Sequence, residues 1–184
     1  VTILEALAQI SALLGKEKVD FALIGGLALH AQGVSRATTD VDALILVQDK
    51  EKVREILARE NYSVFYESSE VVTFLSSAEK TIRLDFLLAQ RPYARAMLER
   101  AETKEILPDF HIKVARPEDL IGLKIQAATN DPTRKDQDMA DIRSLLRVHH
   151  ATLEWPRVRE YFSLFQAESD LDRLLKEEGL APHP

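Results

Sequence analysis

Apolar residues fall along this chain in runs of two periods, one helical and one extended. Residues 3 to 14 place Ile3, Leu4, Leu7, Ile10, Leu13 and Leu14 on one stripe, which predicts an amphipathic opening helix packed on a sheet. Phe21 to Ile24 and Val41 to Val47 are short, almost wholly apolar runs and predict two buried strands. Gly25 and Gly26 stop the first, and Leu27 to Ala31 then predicts a short helix. Asp49 to about Glu60 predicts another helix, capped by its Asp, with Val53, Ile56 and Leu57 turned inward. Ser63 to Tyr66 and Val71 to Leu75 flank the polar stretch Glu67 to Glu70 and predict a hairpin, in which nothing suggests chemistry. Thr81 to Leu88 predicts a strand in which Ile82, Leu84 and Phe86 alternate with Arg83, Asp85 and Leu87.

Residues 91 to 101 then predict a helix, and 103 to 114 a strand pair broken at Pro108 and Asp109. Arg116-Pro117-Glu118-Asp119 reads as a helix start, with Pro in the first turn and acids favourable to the helix dipole. Everything before it mixes strands with helices and everything after it reads as helical. The expected division is therefore an α/β core over 1–115 and a helical region over 116–184 packed on it. The predicted fold is α/β of the α+β kind, a small mixed sheet flanked by helices on one side, followed by that helical tail. In the tail, Lys124 falls within an apolar helical stripe, and Asp138 and Asp141 continue the stripe of Ile142, Leu145 and Val148. Charges on a buried stripe need partners. A helical hairpin around Asn130-Asp131-Pro132 can bring Lys124 to Asp138 or Asp141 as a structural salt bridge, or Lys124 can reach a triphosphate or acceptor. Trp155-Pro156 starts a further helix to about Gln166, with Val158, Tyr161, Phe162 and Phe165 as an apolar face suited to core packing or a dimer surface.

The acids within the apolar runs carry the candidate chemistry. Asp40 and Asp42 stand two residues apart on a strand, so their carboxylates share a face and repel unless a proton or a cation intervenes. An oxygen-only donor set favours Mg²⁺ or Mn²⁺ over zinc. The glycine turn at Gly25 and Gly26 lets a phosphate approach closely, and the helix after it presents free N–H groups to an anion. Asp85 is a lone acid in an apolar strand and shares its face with Arg83, so a plain Arg83–Asp85 pair on a half-exposed strand is one account of it, weaker than a functional role.

A Gly-Gly turn opening a helix, followed by Arg36-x-Thr38-x-Asp40-Val41-Asp42, resembles the signature of the nucleotidyltransferase superfamily to which DNA polymerase beta belongs. Within it the chain is most similar to the AbiEii group of toxin-like nucleotidyltransferases. Lys124-x-Gln126-Ala127, Arg134-Lys135 and Asp138-x-x-Asp141-Ile142 resemble the later motifs of that group. The resemblance spans roughly residues 20 to 147 and implies Mg²⁺-dependent transfer of a nucleotidyl group from an NTP. It implies that Asp40, Asp42 and Asp85 hold the metals and that Asp85 sits where a base takes the acceptor's proton. Gly25 and Gly26 would hold the triphosphate, with Arg36 and Thr38 assisting in binding and Lys124 in catalysis. Leu27 departs from the pattern, because the group often has a hydroxyl residue after Gly-Gly that can hydrogen-bond a phosphate.

Composition narrows this reading further. Apolar residues at 46% and charged residues at 29% are ordinary for a globular protein, and 184 residues can bury a real core. Absence of cysteine excludes disulfides, thiol catalysis and zinc–thiolate sites. No apolar run approaches the roughly 18 residues of a membrane span and no signal-peptide pattern is present, so a cytoplasmic location is expected. A net charge of −6 argues against a broadly basic nucleic-acid surface, leaving local clusters such as Arg91 with Arg95 or Arg134 with Lys135 to handle such an acceptor. The five histidines lack zinc-ligand spacing and are expected at the surface. Expected partners are an NTP, an acceptor that is tRNA, protein or a small molecule, an antitoxin protein, and a second copy in a homodimer. Three other functions share parts of the pattern: an antibiotic-modifying nucleotidyltransferase, an Asp-x-Asp glycosyltransferase, and a catalytically silent NTP-binding module.

Overall fold

The computed structural model describes residues 2–77 and 82–181; Thr81 of the predicted strand and His183 lie outside the described residues. The chain forms two compact units. One comprises Val1–Ala31 and Arg36–Ala115, the other Gln32–Ser35 and Arg116–Pro184.

In the first unit, α1 (Ile3–Lys16) starts at a reciprocal cap. The Thr2 hydroxyl accepts from the Glu5 N–H at 3.2 Å, and the Glu5 carboxylate accepts from the Thr2 N–H at 2.6 Å. Ala6, Leu7, Ile10 and Leu14 form its buried face. The strands are β1 (Phe21–Ile24), β2 (Asp40–Leu46), β3 (Tyr62–Glu67), β4 (Val71–Ser76), β5 (Arg83–Ala89), β6 (Glu102–Leu107) and β7 (Phe110–Val114). They make one seven-stranded mixed sheet in the order β3-β4-β5-β2-β1-β7-β6. The sheet is larger than the small one expected, because both predicted strand pairs join it at its two edges. At its centre β2 runs parallel to β5 and antiparallel to β1. Phe74 and Phe86 meet edge to face on neighbouring strands, with centroids 5.9 Å apart. The helices α2 (Gly25–Ala31), α3 (Lys50–Arg59) and α4 (Pro92–Glu99) complete this unit. Asp49 does not cap α3 as expected. Val47–Asp49 forms a 3-10 turn that gives Asp49 helical dihedrals, whereas a capping side chain needs extended backbone.

The second unit holds α5 (Pro117–Asn130), α6 (Lys135–His149), α7 (Trp155–Leu164) and α8 (Glu168–Glu177). Glu118 and Asp119 occupy the first turn of α5, but they are buried and serve α7 rather than facing water. Glu118 accepts from the Glu154 N–H at 2.8 Å, and Asp119 accepts from the Tyr161 hydroxyl at 2.7 Å. Gly122 lets α5 and α7 touch, since a Cβ there would stand 2.8 Å from the Tyr161 ring. On α6 the buried stripe is Asp138, Asp141, Ile142, Leu145 and Leu146. Val148, expected on it, is 52% exposed, because it lies seven positions after Asp141 at the edge of that face, about a third of a turn from Ile142. His149 and His150 are half-buried rather than at the surface. The first places Nε2 2.7 Å from the Gln32 carbonyl oxygen, and the second meets the Trp155 ring at 5.5 Å. Within the predicted helical tail α8 is a separate helix with no boundary predicted for it, and its Leu171, Leu174 and Leu175 are buried.

Candidate active site

The start of β2 is where the sheet changes character. Asp40 and Asp42 are half-buried and alternate with the buried Val41 and Ala43, and the rest of the strand is almost wholly enclosed. The parallel register with β5 sets Asp42 opposite Asp85 and Asp40 opposite Arg83. The antiparallel register with β4 sets Thr73 opposite Asp85 on its other side. Paired residues share a face of the sheet, so Thr73, Asp85 and Asp42 form one row, and Arg83 and Asp40 the next. The outcome is a cluster in which Asp40, Asp42 and Asp85 each offer a carboxylate oxygen, all within 4.8 Å of one another.

The glycine turn backs onto this cluster. Gly25 has φ +66°, and a Cβ on it would stand 2.0 Å from Asp42 Oδ2; a Cβ on Gly26 would stand 2.6 Å from Thr38 Cβ. The place of Asp42 therefore requires a glycine at 25, and that of Thr38 a glycine at 26. Thr38, expected among the nucleotide contacts, donates its hydroxyl to Asp40 Oδ1 at 2.8 Å. Leu27 is 8% exposed and belongs to the core. Arg36 is half-buried and lies in the same unit as the cluster.

Asp85 is gripped on both sides. Arg83 Nε lies 3.0 Å from its Oδ1 and 2.8 Å from its Oδ2, and the Thr73 hydroxyl donates to Oδ1 at 2.5 Å. The hydrogen bond to Asp85 raises the Arg83 pKa above its ordinary value against the effect of partial burial, and the charges of Asp85, Asp40 and Asp42 add to the rise. The plain Arg83–Asp85 pair is thus present, and Asp85 belongs to the acidic cluster as well. Three carboxylates around this one guanidinium make an all-oxygen donor set that fits a hard divalent cation. Thr73 is the participant that the sequence reading missed, in the very hairpin where no chemistry was expected. A hydroxyl between Val72 and Phe74 was its only signal.

Lys124 belongs to the helical unit, where its ammonium lies 3.0 Å from Asp138 Oδ1 and 2.8 Å from Asp141 Oδ2. Gln137 Nε2 also donates to Asp141, at 3.3 Å. Asp138 is fully buried; among the described residues its Oδ2 has no hydrogen-bond partner, and Arg134 Nε stands 3.7 Å from it.

Comparison with known families finds one whose description is "Nucleotidyl transferase of unknown function (DUF2204)", matching residues 3–177. The chain belongs to this family. The nucleotidyltransferase is similar in fold to the antibiotic-resistance factor ANT(2'')-Ia, at 15% identity over 94% of this chain and 95% of that one, with a TM-score of 0.64. It is similar in the same sense to the lincosamide antibiotic adenylyltransferase LnuA, at 18% identity over 80% and 98% of the two chains, TM-score 0.57. A putative nucleotidyltransferase from Thermotoga maritima gives 15% identity over 75% and 92%, TM-score 0.56. A search of curated proteins finds no match. Among the described residues, no helix of this nucleotidyltransferase is long and apolar enough to cross a membrane.

Proposed function

We propose that this nucleotidyltransferase moves a nucleoside monophosphate from an NTP to an acceptor hydroxyl, with Mg²⁺, or Mn²⁺ in its place, held by Asp40, Asp42 and Asp85. The observation that carries the reading is the convergence of the three carboxylates within 4.8 Å beside the Gly25-Gly26 turn. Bound divalent cations would neutralise charge on the phosphates and on the attacking and leaving oxygens. Asp85 accepts the acceptor's proton as the hydroxyl oxygen attacks the α-phosphorus. A new oxygen–phosphorus bond forms, the bond to the bridging oxygen breaks, and pyrophosphate leaves. The triphosphate lies along the glycine turn, with Arg36 assisting, and Thr38 steadies Asp40.

For the acceptor, the AbiEii-like motif spacing supports a toxin-like enzyme that modifies tRNA or protein and is restrained by an antitoxin, in the cytoplasm where NTPs are supplied. A second reading, modification of a small antibiotic, is supported by the fold likeness to ANT(2'')-Ia, whose structure is also known in complex with adenylyl-2''-tobramycin. The charge pattern supports it too. Net charge is −6, and Arg91, Arg134 and Lys135 each lie within 4 Å of an acid, Glu70, Asp138 and Asp170 respectively. An acidic surface attracts a polycationic drug more readily than a nucleic acid.

The test incubates each NTP, labelled at the α-phosphate, with the protein and Mg²⁺ and in turn with total tRNA, the protein itself, aminoglycosides and lincosamides. Label passing to tRNA or protein supports the toxin-like enzyme, and label passing to a drug supports the second reading. Asp42→Asn should abolish either transfer. Thermal stabilisation by NTP and Mg²⁺, about 2.7 kcal/mol at 100 times the dissociation constant, with no transfer to any acceptor, would leave a silent binding module.

A further inference from the structure

We infer that Thr73 is a positioning residue for the metal site, holding Asp85 so that one of its carboxylate oxygens stays available to the cation. This inference rests on the metal-dependent reading above.

Thr73 is 1% exposed on β4, between Val72 and Phe74, which are both buried. A valine would suit such a strand position on packing grounds, and a buried hydroxyl is costly unless it is bonded. The Thr73 hydroxyl is spent on Asp85 Oδ1, at 2.5 Å, from the directly opposed position on the neighbouring strand. Being β-branched, Thr73 is stiff at χ1, so its donor does not wander.

Arg83 holds the same carboxylate in a different manner. Its Nε stands within reach of both Asp85 oxygens, but its side chain is 52% exposed and can swing into water. An ionised carboxylate accepts on both oxygens. When a cation takes Asp85, Arg83 can yield while Thr73 keeps Oδ1, so the rotamer of Asp85 survives the exchange. At the other end of the cluster the Thr38 hydroxyl meets Asp40 Oδ1 at 2.8 Å, so one threonine steadies each outer carboxylate. Such supporting donors typically carry about ten- to hundredfold in metal affinity.

The experiment is Mn²⁺ titration followed by electron paramagnetic resonance, without NTP or acceptor, on wild type, Thr73→Val, Thr73→Ala, Thr73→Ser and Asp42→Asn, each checked for folding by circular dichroism. Thr73→Val should weaken Mn²⁺ binding about ten- to hundredfold. Thr73→Ser, which restores the hydroxyl, should return binding close to wild type. Thr73→Ala tests the same loss if the valine variant fails to fold. Wild-type Mn²⁺ affinity in Thr73→Val would overturn the inference while leaving the metal site intact. Equal weakening in the Ser variant would overturn it in favour of plain packing. Absence of Mn²⁺ binding by wild type, with no difference from Asp42→Asn, would overturn the metal reading and this inference with it.

Discussion

Asp42 leaves room for no more than a hydrogen on Gly25: a Cβ there would lie 2.0 Å from its Oδ2 and 2.5 Å from its Cγ. Gly25 also sits at φ +66°, a conformation that costs an L-residue roughly 1–2 kcal/mol. Gly25→Ala should therefore carry two separable defects. Melting should fall by about 2–8 °C from the backbone strain alone. Nucleotidyl transfer should fall about a hundredfold or more, because the methyl group must displace the Asp42 carboxylate by an ångström or so. Transfer at the wild-type rate in a folded Gly25→Ala protein would show that Asp42 is not held by this contact.

That contact also shows what the sequence could and could not reveal. Gly-Gly and Asp-x-Asp were legible as neighbours in a motif, but their usual explanation looks toward a ligand. Their direct packing depends on how β1 pairs with β2, which puts Ile24 opposite Asp42. Asp85 was legible because a lone acid interrupts an apolar strand. Thr73 was not, since threonine is an ordinary strand residue and only the register of β4 against β5 gives its hydroxyl a partner. The helical tail was read from its stripes, which located Lys124, Asp138 and Asp141. Val148 was misplaced because charged residues blur the edge of a stripe. Burial of Glu118 and Asp119 was hidden for a related reason: acids in a first turn suit the helix dipole whether or not another helix covers them.

Replacing Asp42 by Asn should stabilise the metal-free protein while destroying its activity. Ionised carboxylate oxygens no more than 4.8 Å apart repel by at least roughly 1 kcal/mol in water and about 3 to 4 at an effective dielectric near 20. Removing one charge relieves part of this, so Asp42→Asn should melt above wild type in EDTA. Adding Mg²⁺ should reverse the order, raising the wild-type melting temperature and barely moving the variant. An Asp42→Asn protein that melts below wild type in EDTA would argue that Asp42 is held by stronger contacts than the repulsion it suffers.

Glu178 gives the helical unit an acid-sensitive tie. Its side chain is 6% exposed and receives the Arg147 guanidinium and Arg143 Nη1, the latter at 3.0 Å. The hydrogen bond from Arg147 lowers its pKa below the ordinary glutamate value, against the upward push of burial, with the Arg147 and Arg143 charges helping. A lowered folded-state pKa means that the unfolded chain binds the proton first. The stabilisation is then present above the ordinary value near 4.3 and is lost as pH falls through the folded-state pKa. Glu178→Gln should melt below wild type at pH 7, and the gap should narrow as pH falls below the ordinary glutamate value near 4.3 and on through the lowered one. A gap that stays constant over this range would mean that the contact acts through packing rather than charge.

Lys124 can be assigned by asking whether stability and catalysis fail together. Its ammonium faces two carboxylates, Asp138 at 3.0 Å and Asp141 at 2.8 Å, and its side chain is only 11% exposed. Removing the cation leaves two nearly enclosed acids without it, a change that typically costs about 3–5 kcal/mol. Lys124→Met should lower the urea midpoint accordingly. Converting Asp138 and Asp141 together with Lys124 to apolar residues of similar size should recover most of that loss, because the desolvation penalty disappears with the charges. Activity of this recovered triple variant decides the role. Near-normal transfer would make Lys124 a structural tie between α5 and α6, whereas a stable but inactive protein would assign the trio to phosphate or acceptor handling.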